Sequence, residues 1–300
     1  MTAARRTSLV LLVIAIVAGW FGDRVAPAVH LALGGYEVIA ADFHTHSATW
    51  SDGALTPWGL VLEARRQGLD AIAVTGHNQV SDANVAAWFA SAFGGPLVIV
   101  GQEILGPRHH VIAIGIDHAV DSRLPVAAEI DEVHRQGGVA IAAHPRPLFW
   151  PAFDQAAMTR LDGAEICHPV VYGHPEIQRE LEAFAARGRP AAIGSSDFHG
   201  LGRMVECRTF VFALDRTVPA ILDAIRARRT VVYSDDGRVY GDPELIRLAA
   251  KVPRLRASAV LDAPAPPLDL ISRVTGTLGL LGLILTVPGT KGRALSRERR

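Results

Sequence analysis

The chain opens on an uncharged, mostly apolar run from Thr7 to Gly22, with Arg5 and Arg6 in front of it. It closes on a second such run, Val274 to Thr290, followed by KGRALSRERR. Between them the pattern changes. Short stretches rich in Val, Ile and Ala recur as YEVIA, DAIAVT, PLVIVGQE, HHVIAIGI, VAIAAHP, GAEICHP, PAAIGSSD and CRTFVFAL. Brief apolar runs bounded by turn residues read as buried strands. Amphipathic segments separate most of them. TPWGLVLEARRQG puts Thr56 at an N-cap, Pro57 in the first turn and Gly68 at the stop. NVAAWFASAF, VAAEIDEVHRQGG, PEIQRELEAFAARG and VPAILDAIRARR read as further helices. Apolar strands alternating with helices predict a parallel sheet covered on both faces. A count of roughly seven strands suits a barrel better than a small open sheet.

The two apolar ends predict membrane segments. Cations before an apolar stretch match an export signal or signal anchor over residues 1–25, with Ala26-Pro27-Ala28 the nearby small-x-small site. The first run is short against the roughly 20 residues of a spanning helix. The second, in residues 273–300, reads as a membrane helix, with a hairpin or a surface-lying segment as alternatives. Residues 40–252 form the central domain, and 253–272, with VLDAPAPPLD, a Pro-rich linker. Basic residues flank both runs on their outer sides. Such flanks stay cytoplasmic, so the expected location is the cell membrane, with the central domain on the extracytoplasmic side.

Composition adds two constraints. Hydrophobic residues make up 49% and charged residues 20% of the 300, which excludes disorder for the bulk. The net charge is zero but unevenly spread: residues 41–250 carry 18 Arg, no Lys and 25 Asp plus Glu, a balance of −7. An acidic middle is a poor footprint for nucleic acid, whose binding rests on phosphate neutralisation. A small phosphorylated substrate is compatible, because bound cations reverse the local sign. Cys167 and Cys207 are not in a C-x-x-C pair; two cysteines are enough for one disulfide, but their spacing does not say that they meet, and the simpler expectation is two buried small residues.

The chemistry gathers just past the strands. His44 and His46 follow EVIAAD, His77 follows AIAVTG and Glu103 follows LVIVGQ; His144 follows VAIAA, and Asp197 and His199 follow AAIGSS. In a parallel barrel those ends share one rim, where sites are built. One such histidine is most simply a hydrogen-bonded loop residue; six or more ligand-type residues at successive strand ends are not. His-x-His in extended chain puts both rings on one side. Imidazole and carboxylate donors without thiolates suit Zn, Mn or Fe.

Together these residues resemble the polymerase and histidinol phosphatase (PHP) superfamily of metal-dependent phosphoesterases. The opening Asp-x-His-x-His-Ser with Ser-Asp-Gly is present as DFHTHS and SDG, and the second motif as TGHN. Gly-x-Glu is present as GQE, His-Pro as His144-Pro145 and the closing Ser-Asp-x-His as SDFH. Gly76 stands where the family usually has Asp. The resemblance spans roughly Asp42 to Val232 and implies a distorted seven-stranded (β/α)7 barrel with two or three divalent ions. It implies that His44, His46, Glu103 and Asp197 hold one ion, and that Glu103 bridges to a second held by His110 and His144. Asp52, His77 and His199 would hold a third. The implied reaction is attack of a metal-bound hydroxide on a phosphate mono- or diester. Arg146 is a candidate for gripping the phosphate with its planar fork, and Arg108 and Arg203 are weaker ones. Rival readings are an exonuclease-like nuclease and a non-catalytic metal-binding or sensory module. His168-Pro169 echoes the His144 motif and is expected to be a rim histidine.

Overall fold

The computed structural model describes residues 2–22, 31–171, 174–200, 204, 207–234, 237–253, 255 and 267–286. The Ala26–Ala28 site, Arg203, most of the linker and the basic tail lie outside them. The chain divides into two compact units, residues 25–261 and the paired ends 1–24 with 262–300.

The larger unit is a nearly closed mixed α/β barrel. Seven strands lie side by side in chain order: β2 (Tyr36–Asp42), β3 (Ala71–Val74), β4 (Leu97–Gly106), β5 (His109–Ile114), β6 (Val139–Ala142), β7 (Gly163–Cys167) and β8 (Ala191–Gly194). β9 (Thr209–Ala213) returns against β2, and β10 (Thr230–Tyr233) and β11 (Val239–Gly241) extend that edge. The seam between β8 and β9 is drawn together by one hydroxyl. Thr209 Oγ1 accepts from the Gly194 N–H and donates to the Gly194 carbonyl, each at 2.8 Å. Alternate strand residues fill the interior: Ile39, Ala41, Ala73, Ile99, Ile112, Ile141, Ile193 and Val211 are all fully buried in one cluster.

The helices form where their sequence signals lie. In α2 (Pro57–Arg66) the Thr56 Oγ1 accepts from the Gly59 N–H at 3.2 Å, and Gly68 turns out of the helix at φ +73°. α3 (Ser81–Phe93), α4 (Val126–Arg135), α6 (Pro175–Ala186) and α7 (Val218–Arg226) bury one face each against the sheet.

The all-parallel expectation fails at two places. β5 runs antiparallel to β4 and β6, and β9 antiparallel to β2. Only Pro107 and Arg108 separate β4 from β5, whereas a parallel return needs a dozen or so residues. The hairpin has a consequence for chemistry. It brings the start of β5, with His110, to the same rim as the end of β4, with Glu103.

The end helices, α1 (Ala3–Gly22) and α9 (Pro267–Leu285), pair with each other, and Ser272 Oγ donates to the Ala15 carbonyl at 2.7 Å. Among the described residues no helix is long and apolar enough to cross a membrane. The expectation of spanning segments is therefore unsupported. The physical reason is length: Asp269 and Arg273 interrupt α9, leaving Val274–Leu285, about 18 Å of helix against a hydrocarbon core of about 30 Å.

The cysteines are not two separate buried residues. Cys167, ending β7, is disulfide-bonded to Cys207, just before β9, with their Cα atoms 5.2 Å apart. Barrel closure brings together residues 40 apart in sequence, which spacing does not reveal. A loop of that length predicts about 4 kcal/mol of stabilisation. Denaturant unfolding of the Cys167→Ala, Cys207→Ala double variant should show a loss of that order. A midpoint unmoved by the substitutions or by reductant would contradict the bond's role.

Candidate metal centre

The site begins where β2 ends. Thr45 Oγ1 donates to the Ala73 carbonyl at 2.7 Å, and the Thr45 N–H donates to Thr75 Oγ1 at 3.1 Å. With the middle residue of His-Thr-His fixed to β3, its two neighbours point the other way, into the barrel mouth; both are fully buried. The closing motif is laced to the opening one. His46 N–H donates to the Phe198 carbonyl at 2.9 Å, and Ala54 N–H to the His199 carbonyl at 2.7 Å. At Gly53 a Cβ would lie 2.3 Å from the His46 carbonyl oxygen, so no side chain fits the Ser-Asp-Gly turn.

One carboxylate lies at the centre. Glu103 Oε2 is 3.1 Å from His77 Nε2, 3.4 Å from His44 Nε2 and 3.6 Å from His46 Nε2. Its Oε1 is 2.9 Å from His110 Nδ1 and 3.3 Å from His144 Nε2. Asp197 Oδ1 lies 3.3 Å from His44 Nε2 and 3.0 Å from His46 Nε2. Asp52 Oδ1 lies 3.2 Å from His199 Nε2, 3.6 Å from His46 Nδ1 and 3.8 Å from His77 Nδ1. Four groupings of donor atoms result, each within 4.8 Å: His44, His46 and Asp197; Glu103, His110 and His144; His46, Asp52, His77 and His199; and His44, His144 and His168. All nine residues expected as ligands meet on one rim. His109, beside His110, instead contacts the buried Glu129 at 2.9 Å.

These residues fit divalent cations. His44 Nε2 and His46 Nε2 are buried without a hydrogen-bond partner, an expensive state unless a cation accepts the lone pairs. Oxygen and imidazole donors suit Zn, Mn or Fe, and no thiolate competes, since both cysteines are in the disulfide. Burial works to raise Glu103, but the rings of His44, His110 and His144 hold it far below the usual carboxylate range. Burial opposes ionisation of Asp197 too, and His44, His168 and His46 outweigh it. Both carboxylates are thereby kept as anions ready for a cation.

Two further carboxylates, Glu165 and Asp42, set the geometry from behind the ligands. Glu165, fully buried on β7, takes the His44 Nδ1–H at 3.0 Å and the His144 N–H at 2.6 Å. The first contact fixes a proton on His44 Nδ1, so that Nε2 is the nitrogen that would meet a cation; the second holds His144, whose φ is +27°. Asp42 Oδ1 accepts from the His44 and Ser196 N–H groups at 3.2 and 3.1 Å, and burial raises its carboxyl to about 7. The signal that points to Glu165 is an acid inside an otherwise apolar strand, GAEIC.

Gly76 is explained by Asp82. A Cβ at position 76 would lie 2.1 Å from Gln79 Nε2 and 2.5 Å from Asp82 Oδ2, so the side chains of Gln79 and Asp82 occupy the space that an aspartate there would take. The buried Asp82 carboxylate fills that space and accepts from Ser47 Oγ at 2.9 Å. Of the expected phosphate-binding arginines, Arg146 donates from Nε to Glu180 at 2.5 Å, and Arg108 is exposed in the β4–β5 turn.

No family model matches the chain. It is 26% identical over 139 residues to an uncharacterized protein of Methanocaldococcus jannaschii, covering 43% of this chain and 81% of that one. Among solved structures it resembles a two-domain protein from Bacteroides vulgatus described as containing a predicted PHP-like metal-dependent phosphoesterase. That match has 25% identity and a TM-score of 0.61 over 76% of this chain and 74% of the other. The likeness covers the barrel whose ligand-type side chains converge on one buried carboxylate, and it supports the chain's resemblance to the PHP superfamily.

Proposed function

We propose that the protein is a metal-dependent phosphoesterase that hydrolyses a phosphate mono- or diester of a small substrate. The observation that carries this is Glu103, a single buried carboxylate within reach of five imidazoles and shared between donor groups. When bound there, divalent ions would polarise a phosphoryl oxygen and make water acidic enough to attack near neutral pH. The chain's own part is to place them. His44, His46 and Asp197 would hold one ion, His110 and His144 a second, and Asp52, His77 and His199 a third. Glu103 would span the first two.

Beside this rim lies a cavity of about 350 Å³ lined by His144, His168, Pro169, Val170, Ser196 and Asp197. Its size suits a small phosphorylated molecule, and the acidic domain disfavours a nucleic acid. Arg146, with Nε on Glu180, keeps its outer guanidinium nitrogens for a phosphate. The rival non-catalytic reading is disfavoured by the full ligand set and by Asp82, whose carboxylate occupies the space beside Gly76.

The domain is further proposed to work outside the cytoplasm, attached to a membrane surface through the end helices. Two observations support this. A disulfide persists in an oxidising compartment. Val13, Ile16, Leu280 and Ile284 are among many apolar side chains exposed on those helices.

Replacing Glu103 by Gln removes the bridging charge while keeping its size. Metal content measured by elemental analysis should fall, and hydrolysis of a phosphoester panel with added Mn or Zn should drop at least a hundredfold, since the residue belongs to a unit. Unchanged stoichiometry in that variant would remove Glu103 from the ligand set; a fully loaded wild type inert on every ester would defeat the enzymatic reading. Glu165→Gln offers only one acceptor to two donors. It should weaken metal binding by about 10- to 100-fold, read as a Mn titration, and wild-type affinity would rule out the orienting role. For location, alkaline phosphatase fused after Val252 should be active in cells. An inactive fusion of normal abundance would exclude an exported domain.

A further inference from the structure

His168 lies within metal-binding distance of His44 and His144, yet its hydrogen bonds point to a different task. The ring is 3% exposed, and its Nδ1 is 3.1 Å from the Val170 backbone N–H. That N–H can only donate, so Nδ1 must accept. A neutral imidazole with an accepting Nδ1 carries its proton on Nε2. Two of the histidines proposed as ligands are wired the other way. His44 gives its Nδ1–H to Glu165, and His199 faces the Asp197 carbonyl with Nδ1 at 2.8 Å, which frees Nε2 on each ring as a lone pair. His168 Nε2 is a buried nitrogen without a partner in good hydrogen-bond geometry. The nearest carboxylate oxygens are Asp197 Oδ2 at 3.5 Å and Glu165 Oε2 at 3.8 Å.

We infer that His168 is a positioning residue and not a metal ligand: its Nε2–H holds the outer oxygen of Asp197. Asp197 Oδ1 faces His44 and His46, with His199 Nδ1 3.6 Å away on the same side, and its backbone sits at φ +50°; Oδ2 is the oxygen turned toward His168. A donor on Oδ2 leaves Oδ1 alone to meet the ion, a monodentate arrangement. Carboxylate ligands commonly have a hydrogen bond of this kind behind them. The ring is itself held from both sides. Cys167 anchors the preceding residue to Cys207, and the short 3-10 turn Pro169–Val171 carries the Val170 N–H that sets the tautomer.

The inference rests on the metal-site part of the proposed function, not on phosphoester chemistry, and its test needs no substrate. Nitrogen-15 NMR of the histidine side chains in metal-free wild type should show His168 as the Nε2–H tautomer. An Nδ1–H tautomer would overturn the inference whether or not the protein binds metal. Two substitutions then separate the ring's two nitrogens. His168→Asn keeps an acceptor for the Val170 N–H and loses the Nε2 donor. His168→Gln keeps a donor near the Nε2 position. Titrated with Mn alone, the Asn variant should bind the wild-type number of ions with one of them about tenfold or more weaker, and the Gln variant should recover most of that loss. An Asn variant that loses one ion outright would make His168 a ligand, and one that titrates like wild type would leave Asp197 without need of it; either result refutes the assignment.

Discussion

The structure depends on keeping Glu103 ionised inside a protein. An isolated buried carboxylate would take up a proton rather than stay charged. Here it is 2% exposed and remains an anion because five imidazoles reach it from four different segments of the chain. Those segments must end on one rim. The barrel supplies that. β2 and β3 bring His44, His46 and His77; the β4–β5 hairpin brings Glu103 and His110 face to face; β6 brings His144. A cluster so arranged suits a cation, since the buried Nε2 atoms of His44 and His46 face carboxylate oxygens without a hydrogen bond.

The supporting layer is as specific as the ligands. Glu165 selects which nitrogen of His44 carries the proton, Thr45 fixes which way the His-Thr-His segment faces, and Asp42 ties the first motif to Ser196 of the last. His144 and Asp197 both sit at positive φ, a conformation L-residues adopt at a cost of order 1–3 kcal/mol. Such strain persists only where surrounding contacts over-determine it. It falls here on two residues that face the cluster, each backed by a buried side chain one strand end away.

Much of this was legible in the sequence. Ligand-type residues recurring after apolar strands, and the period-two placement of His44 and His46, needed only local rules. The strand count and the N-cap at Thr56 were equally local. What sequence could not show was long-range. The antiparallel sense of β5 follows from a two-residue turn, but the alternation of strands and helices elsewhere masks it. The Cys167–Cys207 bond exists because β8 and β9 close the barrel. Gly76 looks like a missing aspartate until Asp82 is found in the space beside it. The end helices read as spans from their apolar runs, yet the charged residues within α9 shorten its apolar length.

The central claim is that one carboxylate organises the metal centre. Crystals soaked in Mn and measured for anomalous scattering test it most directly. The account predicts at least two peaks, one within coordination distance of each Glu103 carboxylate oxygen, the first also touching His44, His46 and Asp197 and the second touching His110 and His144. Peaks that avoid Glu103, or a single ion held without it, would contradict the account.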